Sequence, residues 1–475
     1  MPLTDPRVLL ADALAVRTAL RAADWSSTSL ADLLGATART HLDRDELAPV
    51  LRRTADGSPL STLARLFLVG AAVPADQARA AGIPASWLNA DGTAAVRLQP
   101  VGHGGVDVVV PHDPGRAAEG VHPEQVLGVG AASLTLAAAT PRTQVHDVLD
   151  LGCGSGIQAL LAEDHGQRVV ATDRNPRAVA YTALAAALND APIEALPGDL
   201  LEPVADRTFD LIVSNPPFVV SPGARYTYRD AGLDGDEVCR TLVQQLPRHL
   251  APGGHAVMLV NWLHVEGEDG DDRVRGWFEG TGCDGWVVQR ELAAPQDYAT
   301  AWLRDTDEGS RFDALYDAWV DWFAERRVEA VAFGVLAMRR TERPPSVVLD
   351  VVDHPIAPTW GEEVADHFVR RDALADGVLD RCWRLRSDVR LHQVASAGAD
   401  GWFVDNQLLQ QSAGLRWSGG TDAHGAALLA GCDGETPLRT LFALLAAGAE
   451  IDESEAVEQG LPIVARLVEQ GFLVV

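Results

Sequence analysis

Cysteine is scarce and scattered in this chain. Its five thiols, Cys153, Cys239, Cys283, Cys382 and Cys432, include no C-x-x-C pair, so neither a disulfide framework nor a zinc site is indicated. Long apolar runs are lacking too. No stretch reaches the roughly eighteen uncharged apolar residues of a membrane span, and the nearest, AASLTLAAAT, is too short. The N-terminal MPLTDPRVLLADALAVRTAL is broken throughout by Asp and Arg and has no basic region leading into an apolar segment; the expectation is a cytoplasmic protein without membrane contact. A basic excess is the third absence. With a net charge of -28, the chain repels nucleic-acid backbones unless one face departs from the average. There is also no GK[ST] to cradle a phosphate.

What is present is the balance of a globular protein. Hydrophobic residues make up 47% and charged residues 22% of 475, enough for two or three domains with their own cores. The bias to Ala, Arg and Asp points to a bacterial coding sequence rich in G and C.

The chain is organised around residues 147 to 218. Val148, Leu149 and Leu151 form an apolar run that breaks into Gly152, Gly154 and Gly156 before IQALLAED resumes at helical spacing. That is a strand, a glycine turn and a helix, and glycines there allow a ligand to approach the backbone closely. Arg168 to Thr172 is a second β-branched run, ending at Asp173, where a carboxylate can accept both hydroxyls of a ribose. A nucleoside ligand follows. GCGSG lacks the third glycine of a dinucleotide fingerprint. Further on, Phe209 to Ser214 is a strand that runs out at Asn215, followed by Pro216, Pro217 and Phe218. The prolines stiffen this segment and cannot donate to a ladder. The Asn215 side-chain oxygen and the Pro216 carbonyl are then two neighbouring acceptors suited to a planar NH2 group, and Phe218 can stack on that group.

GCGSG followed by an acid at Asp173, a further acid at Asp199 and an Asn-Pro-Pro-Phe motif resembles the class I S-adenosylmethionine-dependent methyltransferases. It resembles in particular the small-domain and HemK-like N-methyltransferases. The resemblance covers roughly residues 95 to 340 and implies a Rossmann-like, seven-stranded α/β core. It implies S-adenosyl-L-methionine as cofactor, held by Asp150, Gly152, Gly154, Gly156, Asp173, Arg174, Asp199, Leu200 and Asn215, with Asp199 or its neighbour bonding the adenine amino group. It also implies chemistry at Asn215, Pro216 and Phe218, because [ND]PP[YF] in these families marks methylation of glutamine amides or of adenine N6, cytosine N4 or guanine N2. The run GLDGDEVCRTLV is similar to a segment of the protein-glutamine methyltransferases, whereas Phe218 in place of Tyr is also found in rRNA guanine-N2 enzymes. The expected acceptor is therefore a glutamine-type amide of a protein or peptide, with an RNA base as the alternative and a nonenzymatic cofactor-binding regulator as the rival of another class. Pro217, Trp262 and His264 are expected to line the substrate pocket; His122 and Ser133 are weaker candidates in the loop and helix before the first core strand. No metal is expected.

Around this core, residues 1–92 read as a helical N-terminal domain, with Ser58 and Pro59 capping the helix at Leu60 to Val69. Residues 93–341 read as the catalytic domain, opened by a β-hairpin at AVRLQPVG and GVDVVVPHD. After a linker at ERPPS, residues 347–475 read as an α+β domain, winged-helix-like from 415 in the order strand, helix, helix, strand. Glu453, Glu455, Glu458 and Glu469 against Arg466 disfavour DNA reading by that part and favour dimerisation or protein recognition. The arginines between 367 and 392 alternate with acids and predict a salt-bridged face.

Overall fold

Parallel strands buried on both faces need apolar residues at every position, and VLDL, VVAT and LIVS meet that requirement. In the computed structural model, which describes residues 4–42, 44, 46–115, 124–222, 236–305, 311–398 and 401–475, these runs form the middle of an eight-stranded sheet. Its strands in chain order are β1 (Val145–Leu151), β2 (Gly166–Asp173), β3 (Ile193–Pro197), β4 (Phe209–Ser214), β5 (Leu250–Val265), β6 (Cys283–Ala293), β7 (Val328–Arg340) and β8 (Val347–Val351). They lie in the order β8-β6-β7-β5-β4-β1-β2-β3. Strand β7 alone is antiparallel to its neighbours, β5 and β6. This is the class I methyltransferase arrangement. Chain order reverses between β1 and β4, so a crevice opens outside the carboxyl ends of those two strands.

One strand more is present than the seven expected. VVLDV, just beyond the ERPPS linker, is β-branched enough to add to the open edge of β6 in parallel. The indole Nε1 of Trp286 donates to Asp350 Oδ2 at 2.9 Å, and Ser346 N donates to Asp284 Oδ1 at 3.0 Å. The first compact unit consequently runs to Val351 rather than ending at residue 341. Arg339, near the end of β7, pairs with Asp284 at 2.7 Å.

The crossover helices include α1 (Ile157–Ala162), α2 (Pro176–Asn189), α3 (Glu237–Gln245), α4 (Gly270–Gly276), α5 (Pro295–Asp305) and α6 (Phe312–Glu325). Helix α2 starts as its sequence dictates: Asn175 Oδ1 accepts from Arg177 N at 2.9 Å, with Pro176 in the first turn. The N-terminal segment is helical; the helix expected over Leu60 to Val69 is an α-helix at Pro59–Leu63 that passes into a π-helix at Ala64–Val69, and Ser58 Oγ caps Ser61 N at 3.3 Å. They do not make a unit of their own. Leu9, Val16, Leu20, Phe67 and Trp87 share one apolar core with Tyr181, Leu184 and Leu188 of α2. The hairpin strands Arg97–His103 and Val106–His112 pair antiparallel.

The second unit comprises residues 138–141 and 352–475. Its core gathers Trp383, Leu438, Phe442, Val464 and Phe472. GAALLA lies within a helix (Ala423–Ala430), and the strands Asp433–Pro437 and Leu473–Val474 both pair with Cys382–Leu385. The sheet of the winged-helix-like region therefore needs a strand from before residue 415. Arginines 370, 371, 381 and 386 are engaged with Glu363, Glu469, Asp376 and Asp388, the salt-bridged face their spacing predicts. Among the described residues no helix is long and apolar enough to cross a membrane.

Candidate active site

The carboxyl end of β1 breaks into a turn whose three glycines all have left-handed φ, +78° at Gly152, +55° at Gly154 and +86° at Gly156. These are values that cost an L side chain roughly 1–2 kcal/mol. The turn is tied to the end of β2, because Gly152 N and Cys153 N both donate to the Thr172 carbonyl at 2.9 and 3.0 Å. The three positions differ in their surroundings. A Cβ on Gly156 would stand 3.1 Å from Thr182 Oγ1 and 3.2 Å from its Cα, whereas one on Gly154 would meet nothing within 4 Å. Gly156 serves helix packing, and Gly154 borders open space that a ligand can fill. Gly156→Ala should therefore lower stability by roughly 2 kcal/mol or more in denaturant melts. Gly154→Ala should lose about 1 kcal/mol while impairing cofactor binding; equal stability losses would contradict the division.

Asp173 ends β2 half-buried. Its Oδ2 accepts from Gly154 N at 2.9 Å and its Oδ1 from Asn175 N at 2.8 Å. Each oxygen keeps a lone pair for a further donor, which is what a pair of vicinal hydroxyls requires. Burial pushes this carboxyl above its ordinary pKa, against the two backbone donors. Arg174 beside it is exposed and favours the ionised form. At the end of β3, Gly198 N donates to the Asp173 carbonyl at 3.1 Å. Asp199 is exposed there, and Leu200 follows with φ +46°.

Asp150 plays another part. It is 1% exposed and accepts from Ala159 N at 2.9 Å, bracing the first turn of α1 from beneath the glycines. Burial pushes its carboxyl up to about 7, and nearby Asp173 adds to the shift. Folding thus favours the protonated acid. The stability this group contributes is complete below its ordinary value of 3.8 and is lost as pH rises towards about 7. Asp150→Asn should stabilise the cofactor-free protein near pH 8 and change little below about pH 4; a pH-independent difference between the melts would contradict this. Cys153, buried and accepting from Thr182 Oγ1 at 3.2 Å, is held well above its ordinary pKa by burial and acts as packing.

The Asn-Pro-Pro-Phe segment leaves β4 alongside this turn. Ser214 Oγ donates to the Leu151 carbonyl at 2.8 Å, and a Cβ on Gly152 would lie 4.0 Å from the Asn215 carbonyl. Asn215 is half-buried, and its side-chain amide has no partner among the described residues. Pro216 is buried and Pro217 half-buried. Phe218, expected to stack on the acceptor, is only 7% exposed. Its ring packs against Trp302 (6.2 Å, 75°) and Phe333 (5.7 Å, 42°), so the ring anchors its own segment.

Strand β5 continues past the end of β4, paired with β7, which is paired in turn with β6. Trp262 and His264 lie on it, on one face, with Asn261 on the other. Trp262 is fully buried and offers no surface to a substrate. The His264 ring lies within 2.5 Å of where a Cβ on Gly270 would stand and is directed at α4. Asn261, by contrast, is 1% exposed and donates from Nδ2 to Tyr298 Oη at 2.7 Å, and Val220 N donates to the same oxygen at 3.0 Å. Asp236, the last residue of GLDGD, accepts from Leu263 N at 3.2 Å and pairs with Arg273 at 2.7 Å. The rest of GLDGD and His122 lie outside the described residues. Ser133 offers its carbonyl to Gln158 Nε2 at 2.7 Å. Tyr298 and Arg273 were not legible as site residues, since nothing in LAAPQDYAT or DDRVRG departs from an ordinary helix.

Three stretches match known families. Residues 116–267 match the methyltransferase small domain, and residues 22–102 and 364–475 match two domains of unknown function. The chain is 39% identical over 158 residues to a release factor glutamine methyltransferase of Geobacter sulfurreducens, covering 30% of this chain and 53% of that protein. It is 35% identical over 126 residues to a ribosomal protein uL3 glutamine methyltransferase of Bradyrhizobium diazoefficiens (24% and 40%). It is 30% identical over 114 residues to a ribosomal RNA small subunit methyltransferase C of Alcanivorax borkumensis (24% and 32%). The chain thus spans about half the length, or less, of these relatives.

Proposed function

We propose that this protein is a cytoplasmic S-adenosyl-L-methionine-dependent N-methyltransferase whose acceptor is a planar amide nitrogen, a glutamine-type side chain of a protein or peptide. The observation that carries this reading is that Asn215, whose side-chain amide has no partner among the described residues, leaves β4 beside the glycine turn, its main-chain carbonyl 4.0 Å from where a Cβ on Gly152 would stand. The residues present fit the cofactor: Asp173 has a free lone pair on each oxygen, and Gly154 borders a space that a Cβ would occupy. When bound, the cofactor supplies an electrophilic methyl group on a sulfonium.

The chain's own work is then binding and orientation. Asp173 receives the ribose hydroxyls, and the Gly152–Gly156 turn admits the remainder of the cofactor against bare backbone. Asn215 Oδ1 and the Pro216 carbonyl each accept one hydrogen of the acceptor NH2 group. This holds its plane and leaves the nitrogen electrons directed at the turn, a near-attack geometry. As the nitrogen becomes positively charged, these same acceptors gain in strength, which lowers the barrier selectively. The surplus proton leaves from nitrogen to water, so no dedicated base is required.

Two of the named relatives act on glutamine and one on ribosomal RNA, which keeps a guanine N2 or adenine N6 acceptor as the second reading. The charge of -28 and the internal pairing of Arg370, Arg371, Arg381 and Arg386 favour protein. A purely regulatory cofactor-binding role is disfavoured by the retention of both acceptors. The test is transfer of labelled methyl into a lysate of cells lacking the protein, followed by protease or nuclease. Label lost to protease supports the amide acceptor. Label lost to nuclease moves the assignment to a base, and cofactor binding without any transfer supports the regulatory role.

A further inference from the structure

Resting on the assignment of residues 215–218 to the acceptor site, we infer that Tyr298 and Asn261 are positioning residues. Together they form a buried latch that holds the Asn-Pro-Pro-Phe segment at the height the acceptor needs. The phenol oxygen of Tyr298 takes a hydrogen bond from Val220 N at 3.0 Å and a second from Asn261 Nδ2 at 2.7 Å. All three residues are closed off from solvent, at 6%, 0% and 1% exposure for Tyr298, Val220 and Asn261.

The latch acts at a specific place. Asn261 and Phe333 are directly opposed on β5 and β7, and Phe333 is the ring on which Phe218 packs. The segment leaving β4 is therefore pinned twice on one face of the sheet where β5 and β7 run past β4, by ring packing at Phe218 and by a hydrogen bond at Val220. Asn215 and the Pro216 carbonyl lie between these pins and the last ladder residue, Ser214. With two prolines in between, the segment has few torsions left. Its position is then set by where the pins stand, not by contacts of Asn215 itself.

The identity of residue 261 supports this assignment. Its Oδ1 is buried and has no hydrogen-bond partner. A buried carbonyl left unpaired is unfavourable, and an aliphatic side chain would fill the position without that cost. Asparagine is useful there for its donor, and that donor is spent on Tyr298. Without it one of the two hydrogen bonds that fix the phenol oxygen beside Val220 N is gone, and the buried Val220 N–H is held less firmly. The van der Waals contacts of the phenol ring with Trp302, Trp319 and Phe323 do not depend on the hydroxyl, so Tyr298→Phe removes the latch and leaves the packing.

The test combines amide hydrogen exchange with kinetics on the full chain. In Tyr298→Phe, exchange over residues 215–220 should quicken roughly tenfold, the value of about one net hydrogen bond, while exchange over 148–156 stays as in the wild type. Turnover should fall roughly tenfold, with affinity for S-adenosylmethionine unchanged within twofold. Asn261→Leu should move the same readouts in the same direction by less, and the double variant should be no worse than Tyr298→Phe alone. Unaltered exchange over 215–220 in Tyr298→Phe, or full turnover by it, overturns the latch. If that variant does not fold, the same exchange measurement on Asn261→Leu decides, and no change there overturns it as well. Wild-type protein that transfers no methyl to any acceptor sinks the function reading, while the exchange result still judges the latch.

Discussion

Asn215→Ala should lose methyl transfer by roughly 10³-fold, the scale on which single preorganised polar groups at reacting centres count, while binding S-adenosylmethionine within a few fold of the wild type. The two effects separate because the side chain and the cofactor turn come from different strands. The turn is held by Thr172 on β2 and by Thr182 on α2, neither of which involves the Asn215 amide. The amide itself is half-buried and bonds to none of the described residues, so its removal breaks no hydrogen bond among them and stability should hardly change. What is lost is one of two acceptors for the incoming NH2 group. With only the Pro216 carbonyl remaining, the nitrogen can rotate away from the methyl group. Steady-state transfer together with calorimetric titration checks this, and a mutant with wild-type turnover would remove the mechanism.

Asp173→Ala carries the second large effect, on the other half of the site. Two charge-assisted hydrogen bonds to a ribose disappear, so affinity for the cofactor should fall by about 100-fold or more. The change also strips Gly154 N and Asn175 N of their acceptor. Part of the loss is therefore a looser turn, and Asp173→Asn separates the parts. An amide oxygen can still serve one backbone donor but cannot accept from two hydroxyls. The expected order in calorimetry is wild type, then Asp173→Asn, then Asp173→Ala. Affinity unchanged in both variants would contradict the ribose assignment. Because Asp173 and Asp150 are both raised above their ordinary pKa by burial, binding of a cation beside them favours proton release. Affinity should therefore increase as pH rises towards about 7.

The parts of the site that were legible in the sequence are those written within a few neighbouring residues. The glycine turn, the acid closing β2, the Asn175 cap and the proline-stiffened end of β4 each follow from local backbone requirements, and each stands where its motif puts it. The parts that were not legible join distant residues. Val220 and Tyr298 are 78 positions apart, and Asn261 and Tyr298 are 37 apart. No periodicity in LAAPQDYAT distinguishes a phenol that holds a loop from one that fills a core. The same limit explains Phe218 and Trp262. An aromatic residue beside a motif has the same letter whether its ring faces a ligand or is enclosed, as both are here, by elements folded from elsewhere. It explains the eighth strand too, since VVLDV becomes a sheet edge only because β6 presents an unpaired one. The N-terminal helices were visible as helices, but their sharing of a core with Tyr181 and Leu184 depends on α2, which lies far along the chain.

The central claim concerns which atom receives the methyl group, and the chemical bond formed is the most direct witness to it. Macromolecules labelled by the wild-type protein from S-adenosylmethionine carrying a labelled methyl would be hydrolysed in strong acid and the labelled products separated. A methylated side-chain amide releases its label as methylamine, and that is the result predicted. A labelled purine base would transfer the same N-methyl chemistry to the RNA reading. Label recovered as methanol from an ester, or retained on carbon or sulfur, would contradict a site built from two acceptors for an NH2 group.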